Sequence, residues 1–165
     1  MTLPRTASQT VGPYYTLGLC RRPENELADR ELSRTRWSSP AQLFDGEGVP
    51  IVDGLIEVWD AAGRRWGRSG TDAEGRFSFV VTKPGALPGE APRLDVFVFA
   101  RGLLRHQLTR IYFPDEARGE RPRPACSRRS DEGDRATLAR RAGGRRRSGS
   151  TCRMQGERAT VFFEH

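Results

Sequence analysis

The sequence predicts an all-β fold, a sandwich or barrel, and three observations carry that prediction. Apolar and polar residues alternate over short runs, as in "LIEVW" and in "RFSFVV", where Phe77 and Phe79 share one face, which is the period of a strand with one buried side. Turn formers punctuate the chain between these runs. The runs "RLDVFVFARG" and "LTRIYF" are rich in β-branched and aromatic residues, the types that fit a pleated surface.

The elements follow in order. Residues 1–36 are polar and turn-rich and read as an irregular N-terminal arm, with "RPENELADRELSR" as a short helix or a loop. From Gln42 the texture changes. "QLFDGEGVPIVDGLIEVWDAAG" holds two strand-like runs around the turn signal "DGEG". Asp72 to Gly75 is a second turn and precedes the strand with Phe77 and Phe79. "TKPGALPGEAP" contains three prolines, which cannot donate to a ladder, and reads as a loop. Two strands follow in "RLDVFVFARG" and "LTRIYF", and "ATVFFEH" closes the chain as the last. The domain boundaries on this reading are an arm over 1–36 and a sandwich over 37–165. No internal repeat is visible.

A chain of 165 residues is long enough for one domain with a real core. Its net charge of +7 would point to an anionic partner if it were spread over the surface. It is concentrated instead: Arg118 to Arg153 holds twelve arginines against four acidic residues, and the rest holds sixteen basic against seventeen acidic. The three cysteines, Cys20, Cys126 and Cys152, form no C-x-x-C pair, so neither a zinc signature nor a disulfide framework is indicated. Free thiols in a reducing cytoplasm are the expectation. There is no charged-then-apolar leader pattern and no apolar run near the ~18 residues of a membrane span, so the chain is expected to be cytoplasmic and to have no membrane partner.

Several stretches, taken in order, resemble one family. They are "ASQTVGPYYTLGL", "LFDGEGVPIVDGLIEVWDA", "GRSGTDAEGRFSFVVTKPG", "APRLDVFVFARGLL", "TRIYFPDEA" and "QGERATVFFEH". As a set they resemble the intradiol ring-cleavage dioxygenases, and within them the α-chain branch of the protocatechuate-cleaving members. The resemblance covers most of 6–117 and 153–165, and it implies a β-sandwich of the intradiol dioxygenase type.

The resemblance also implies where a metal would sit. Iron-bearing β chains of the family hold non-haem Fe(III) with two Tyr and two His. Here the His-x-His positions are Arg93 and Asp95, the Tyr of the Pro-Gly-x-Tyr-Pro loop is Leu87, and no Tyr lies between Asp60 and Thr71. This chain is therefore expected to bind no cofactor, with Fe(III) in a partner β chain of a hetero-oligomer. By the same resemblance Thr10, Gly12, Pro13 and Tyr14 are substrate-binding residues, and Arg101 is catalytic. Gly12 and Pro13 would set a tight backbone that approaches a planar ring. Tyr14 would offer a phenol to a substrate carboxylate or hydroxyl. Arg101 is a permanent cation suited to developing enolate charge. The substrate is a small aromatic catechol cleaved with O2. Read without the resemblance, Arg101 at a strand end serves a surface carboxylate, Tyr14 and Tyr15 pack, and His106 is structural or at the surface. Trp37, Trp59 and Trp66 then lie in or at the edge of the core.

Residues 118–152 depart from the family pattern. Spelled in GC-rich codons and read out of frame, "GERPRP" becomes Ala-Asn-Asp-Pro-Val-Leu and "GSTC" becomes Arg-Phe-Asp-Val, each as the family reads at that place. "WSSPA" at 37–41 becomes Val-Val-Val-Ala-Gly, a better strand. Compensated frame shifts would account for the arginine-rich composition without a ligand, and would weaken two strands. Two rival readings stand beside the enzyme subunit. One is a degenerate relative that does not assemble. The other is a β-sandwich module with a basic nucleic-acid-binding arm, against which no aromatic residue lies between Arg118 and Arg153 to stack a base; no nucleic-acid partner is expected.

Overall fold

A strand whose alternate residues are apolar can bury only one face, so two such sheets must close on each other. The computed structural model describes residues 4–12, 14–20, 24–28, 36–113, 150–156, 159–160 and 162–163. Its elements are α1 (Tyr15–Leu19), β1 (Glu26–Leu27), β2 (Arg36–Phe44), β3 (Leu55–Asp60), β4 (Arg65–Gly70), β5 (Arg76–Thr82), β6 (Arg93–Phe99), β7 (Gln107–Tyr112) and β8 (Ser150–Arg153). They form two four-stranded sheets, ordered β1-β5-β2-β8 and β4-β3-β6-β7. The first sheet is mixed, with β1 parallel to β5 and β8 parallel to β2; the second is antiparallel throughout. The all-β sandwich is thus as the alternation predicts.

The core is the shared interior of the two sheets. Ile56 and Val58 of β3 and Leu94, Val96 and Val98 of β6 meet Leu43 of β2, Phe79 and Val81 of β5 and Cys152 of β8. Gly67 of β4 lets the arm close against this frame. A Cβ there would stand 2.2 Å from Leu27 Cδ1 and 2.7 Å from the Glu24 carbonyl oxygen, and that carbonyl accepts the Arg68 N–H at 2.9 Å.

Several elements differ from the sequence reading. Glu26–Leu27, inside the stretch read as helix or loop, is a short strand. Tyr15–Leu19 is one helical turn in a segment read as irregular. β4 has no apolar alternation to announce it; Gly67, Arg68 and Ser69 pair with β3 all the same. The 36/37 boundary falls within β2. Of the closing run, Phe163 makes an isolated bridge to Leu108. Trp59 is half-buried but Trp66 is exposed, with the Arg68 guanidinium 4.6 Å from its ring centroid.

The expected damage at Trp37–Ala41 does not occur in the backbone. β2 pairs with β5 from Arg36 to Gln42 without a break. The reason is the side on which Pro40 falls. Leu43 N–H donates to Gly75 on the β5 side and Phe44 C=O accepts Met154 N–H on the β8 side. Backbone groups alternate along a strand, so Pro40 turns its imide nitrogen away from β5, and no bond of that ladder is lost. Its neighbour Ser78 turns its carbonyl the other way, to Asn25 Nδ2 at 2.9 Å. Likewise "GSTC" does not end the sheet: Ser150–Arg153 is β8, and Cys152 is buried among the aliphatics. The rest of the arginine-rich call, residues 118–149, lies outside the described residues, as do Cys126 and Pro13.

The β3–β4 hairpin is closed by a buried carboxylate. Asp60, 2% exposed, accepts Gly63 N–H at 2.8 Å and takes Arg65 at Nε (3.0 Å) and Nη2 (2.7 Å). Breaking a fully buried pair costs roughly 3–5 kcal/mol. Arg65 can still reach water, so Asp60→Ala is expected to lose about 2–3 kcal/mol, read from urea unfolding; a loss below about 0.5 kcal/mol would place this pair with ordinary surface bridges.

Burial pushes the Cys152 thiol up to about 11, against a weaker lowering influence from Thr160. The folded state therefore keeps a proton that the unfolded thiol gives up. This contribution is intact below the unfolded thiol range and is lost as pH rises from about 9 towards 11. Comparing wild type with Cys152→Ala by unfolding at pH 8 and pH 11, the wild type should lose about 2–3 kcal/mol more over that interval, at about 1.4 kcal/mol per pH unit. Equal losses in the two proteins would refute the link.

Candidate active-site wall around Arg101

The site begins in the register of β3 and β6. Leu55 pairs with Phe99 at the end of that antiparallel ladder. Beyond that pair both strands end in turns, and the turns bring Asp53 and Arg101 together. There the Arg101 Nε meets the Asp53 carboxylate as an ion pair, the arginine side chain 56% exposed and the aspartate 18%. Gly102, at φ +87, turns the chain just after Arg101.

The N-terminal arm is fastened across this pair. The Gly102 N–H donates to Thr10 Oγ1 at 2.8 Å. The Tyr15 hydroxyl lies against two backbone carbonyls, that of Asp53 and that of Phe99, the latter at 3.2 Å. Burial pushes the Tyr15 phenol well up, and the Asp53 and Cys20 charges add to this; the group stays a neutral donor at any ordinary pH. Asp53 itself is held from behind. Gly54 N–H donates to Thr71 Oγ1 at 2.8 Å, and Thr71 N–H returns to Gly54 C=O at 3.0 Å.

Of the residues singled out from sequence, the structure brings Thr10 and Arg101 to one place and leaves Gly12 and Tyr14 next to it along the arm. Tyr14 is 75% exposed. Among the described residues a Cβ at Gly12 would meet nothing within 4 Å. Tyr15 and Asp53 were missed. Tyr15 is one of two adjacent tyrosines and only the fold shows which turns inward. Asp53 reads as a turn residue, and no local spacing links it to a position 48 residues later.

The positions that the family resemblance assigns to iron ligands hold a different chemistry. Arg93 Nε is 3.2 Å from Asp95 Oδ1, and Arg110 Nε donates to the same oxygen at 2.9 Å. Arg93 Nη1 also meets Glu90. Leu87 is half-buried and its carbonyl accepts Glu90 N–H at 2.9 Å. Asp95 is already shared by two permanent cations, which repel a third, and Fe(III) is served by imidazole and phenolate donors that these residues do not supply. The residues present do not fit the metal. The His106 ring meets Phe97 edge-on and Phe99 at a tilt, with centroids at 5.4 Å in both cases.

Comparison with known proteins decides the relationship. The chain is 34% identical to the α chain of protocatechuate 3,4-dioxygenase from Burkholderia cepacia over 197 aligned positions, covering 99% of this chain and 98% of that one. The chain belongs to the protocatechuate 3,4-dioxygenase α-chain family. The α chain from Pseudomonas putida is 32% identical, with 98% and 97% covered. The β chain from B. cepacia is 29% identical over 119 positions, 56% of this chain and 51% of that one. No family model matches the chain. Among solved structures, the dioxygenase domain of a dioxygenase carbohydrate-binding fusion from Streptomyces sp. SirexAA-E aligns with a TM-score of 0.49 at 23% identity, covering 67% and 76%. An intradiol ring-cleavage dioxygenase from Tetranychus urticae aligns with a TM-score of 0.49 at 18% identity, covering 68% of each chain. Among the described residues of this α-chain family member, no helix is long and apolar enough to cross a membrane.

The Tyr15 hydroxyl is the pin of the arm. Removing it leaves buried carbonyls short of a donor, at a cost of about 1–3 kcal/mol. Tyr15→Phe should speed hydrogen exchange at the Gly102 amide and in α1 by about tenfold or more while the sheet amides keep their protection. Unchanged exchange at Gly102 would show that Thr10 and the backbone hold the arm without it.

Proposed function

We propose that this chain is the subunit of a protocatechuate 3,4-dioxygenase that does not hold the metal and that completes the active site of an iron-bearing β chain. The reaction would be intradiol cleavage of protocatechuate. The carbon–carbon bond between the two hydroxyl-bearing carbons breaks, both atoms of O2 enter the product, and 3-carboxy-cis,cis-muconate results. Ferric iron in the β chain would supply chelation of the catechol and its activation towards O2. The observation that carries the reading is the docking of the arm on the Arg101 turn. It ties Thr10 to the turn that follows Arg101, in a chain where Arg93, Asp95 and Arg110 pair with one another at the family's ligand positions, and Gly12 and Tyr14 follow Thr10 along the same arm.

Each residue has a role in that wall. Arg101 offers a fixed cation to negative charge that develops on the substrate, where an oriented donor is worth most. Tyr14 offers its phenol to a carboxylate or hydroxyl of the ring. Gly12 and Pro13 let the backbone approach the ring face. Thr10 ties the arm to the turn that presents Arg101. The working protein would be a hetero-oligomer in the cytoplasm, with a small aromatic substrate and O2 as its ligands. A nucleic-acid role is not part of this reading.

In a complex co-expressed with an iron-bearing β chain, Arg101→Ala should lower kcat by about one to three orders of magnitude, as for loss of one charge-stabilising donor, with iron per complex unchanged. Steady-state rates and metal content are measured on one preparation. Wild-type turnover in the variant would assign Arg101 to the surface alone.

A further inference from the structure

We infer that Asp53 is a positioning residue for Arg101, setting where its guanidinium stands in the completed active site. The inference rests on the proposed role of Arg101 and extends it to a residue that touches neither substrate nor metal. An exposed arginine has many rotamers, and rotamer entropy opposes any single one. Something on the protein must choose one. Among the described residues Asp53 is the ion-pair partner of Arg101.

The contact has the form of an orienting device. It engages Nε, the inner nitrogen, so the two terminal amino groups keep their donors for another anion. Its base is rigid. The Asp53 carbonyl receives the Tyr15 hydroxyl, and the next residue, Gly54, is bonded to Thr71 through both its N–H and its C=O. A Cβ on Gly54 would stand 2.6 Å from Leu43 Cδ2, so this turn is seated directly on the core. The half-buried carboxylate is therefore a fixed point and the exposed guanidinium the movable one. The surrounding bonds to Thr10 and Tyr15 engage backbone groups, so Asp53→Asn removes the charge and leaves the clasp in place.

The test is a double-mutant cycle in the α/β complex, with wild type, Asp53→Asn, Arg101→Ala and the double variant, and Asp53→Glu as the conservative control. Asp53→Asn should lower kcat per iron by about ten- to a hundredfold, the effect of displacing a catalytic group by roughly 1 Å, with KM within about threefold and the melting temperature nearly unchanged. Asp53→Glu should recover part of the rate. In the Arg101→Ala background Asp53→Asn should have no further effect, because Asp53 acts only through Arg101. The same fold loss in both backgrounds overturns the inference, and so does full activity of Asp53→Asn beside a slow Arg101→Ala. If Arg101→Ala itself turns over at the wild-type rate, the parent reading fails and the role of Asp53 falls with it.

Discussion

The antiparallel register of β3 on β6 is the constraint on which the rest of the structure depends. It is held by Ile56, Val58, Leu94, Val96 and Val98 on the inner face, and a slip of one residue would turn the inward set of one strand outward. The neighbouring registers decide the outer face: β3 on β4 sets Glu57 beside Arg68, where Nη2 reaches Oε1 at 2.6 Å, and β6 on β7 sets Asp95 beside Arg110. Beyond the last β3–β6 pair, Leu55 and Phe99, the turns at the ends of the two strands bring Asp53 against Arg101. The core thus positions the candidate site although no core side chain is part of it.

Among the described residues that site is an exposed edge. The arm supplies Thr10 and Tyr15 as fasteners and leaves Tyr14 and Gly12 exposed, and Arg101 is more exposed than paired. Such an arrangement has little chemistry of its own. Tyr14 and Arg101 leave polar groups exposed there. At the family's ligand positions the opposite holds. Arg93, Asp95, Glu90 and Arg110 satisfy one another, and a network of that kind consumes the donors and acceptors that a metal or substrate would need. One fold therefore carries a face whose charged groups pair with one another and an edge whose polar groups are exposed.

The irregular stretches show how much of a strand's tolerance lies in its surroundings. Pro40 is accommodated because its missing N–H faces away from β5. Cys152 takes a core position that aliphatic residues surround, and its thiol is held in the neutral form by that burial. Thr160 then ties the end of β8 to the closing segment, accepting Arg153 N–H at 3.0 Å and donating its own N–H to Arg153 C=O at 2.9 Å.

The sequence by itself determined the β character, the shared face of Phe77 and Phe79, the confinement of positive charge to one segment, the family, and the presence of Arg93, Asp95 and Leu87 where ligands would be. Each of these is a local pattern or a motif, and a single strand's alternation is complete within six or seven residues. It marked Arg101, Thr10, Gly12 and Tyr14 through the resemblance and not through any property of their spacing. Only the tertiary structure decided that Tyr15 and not Tyr14 turns inward, that β4 exists without an apolar stripe, and that Glu26–Leu27 is a strand. It also decided that Thr10 meets Gly102 across 92 residues and Asp53 meets Arg101 across 48. These contacts follow from sheet order and register, which arise when two distant segments bury their faces together, and neither segment carries the other's address.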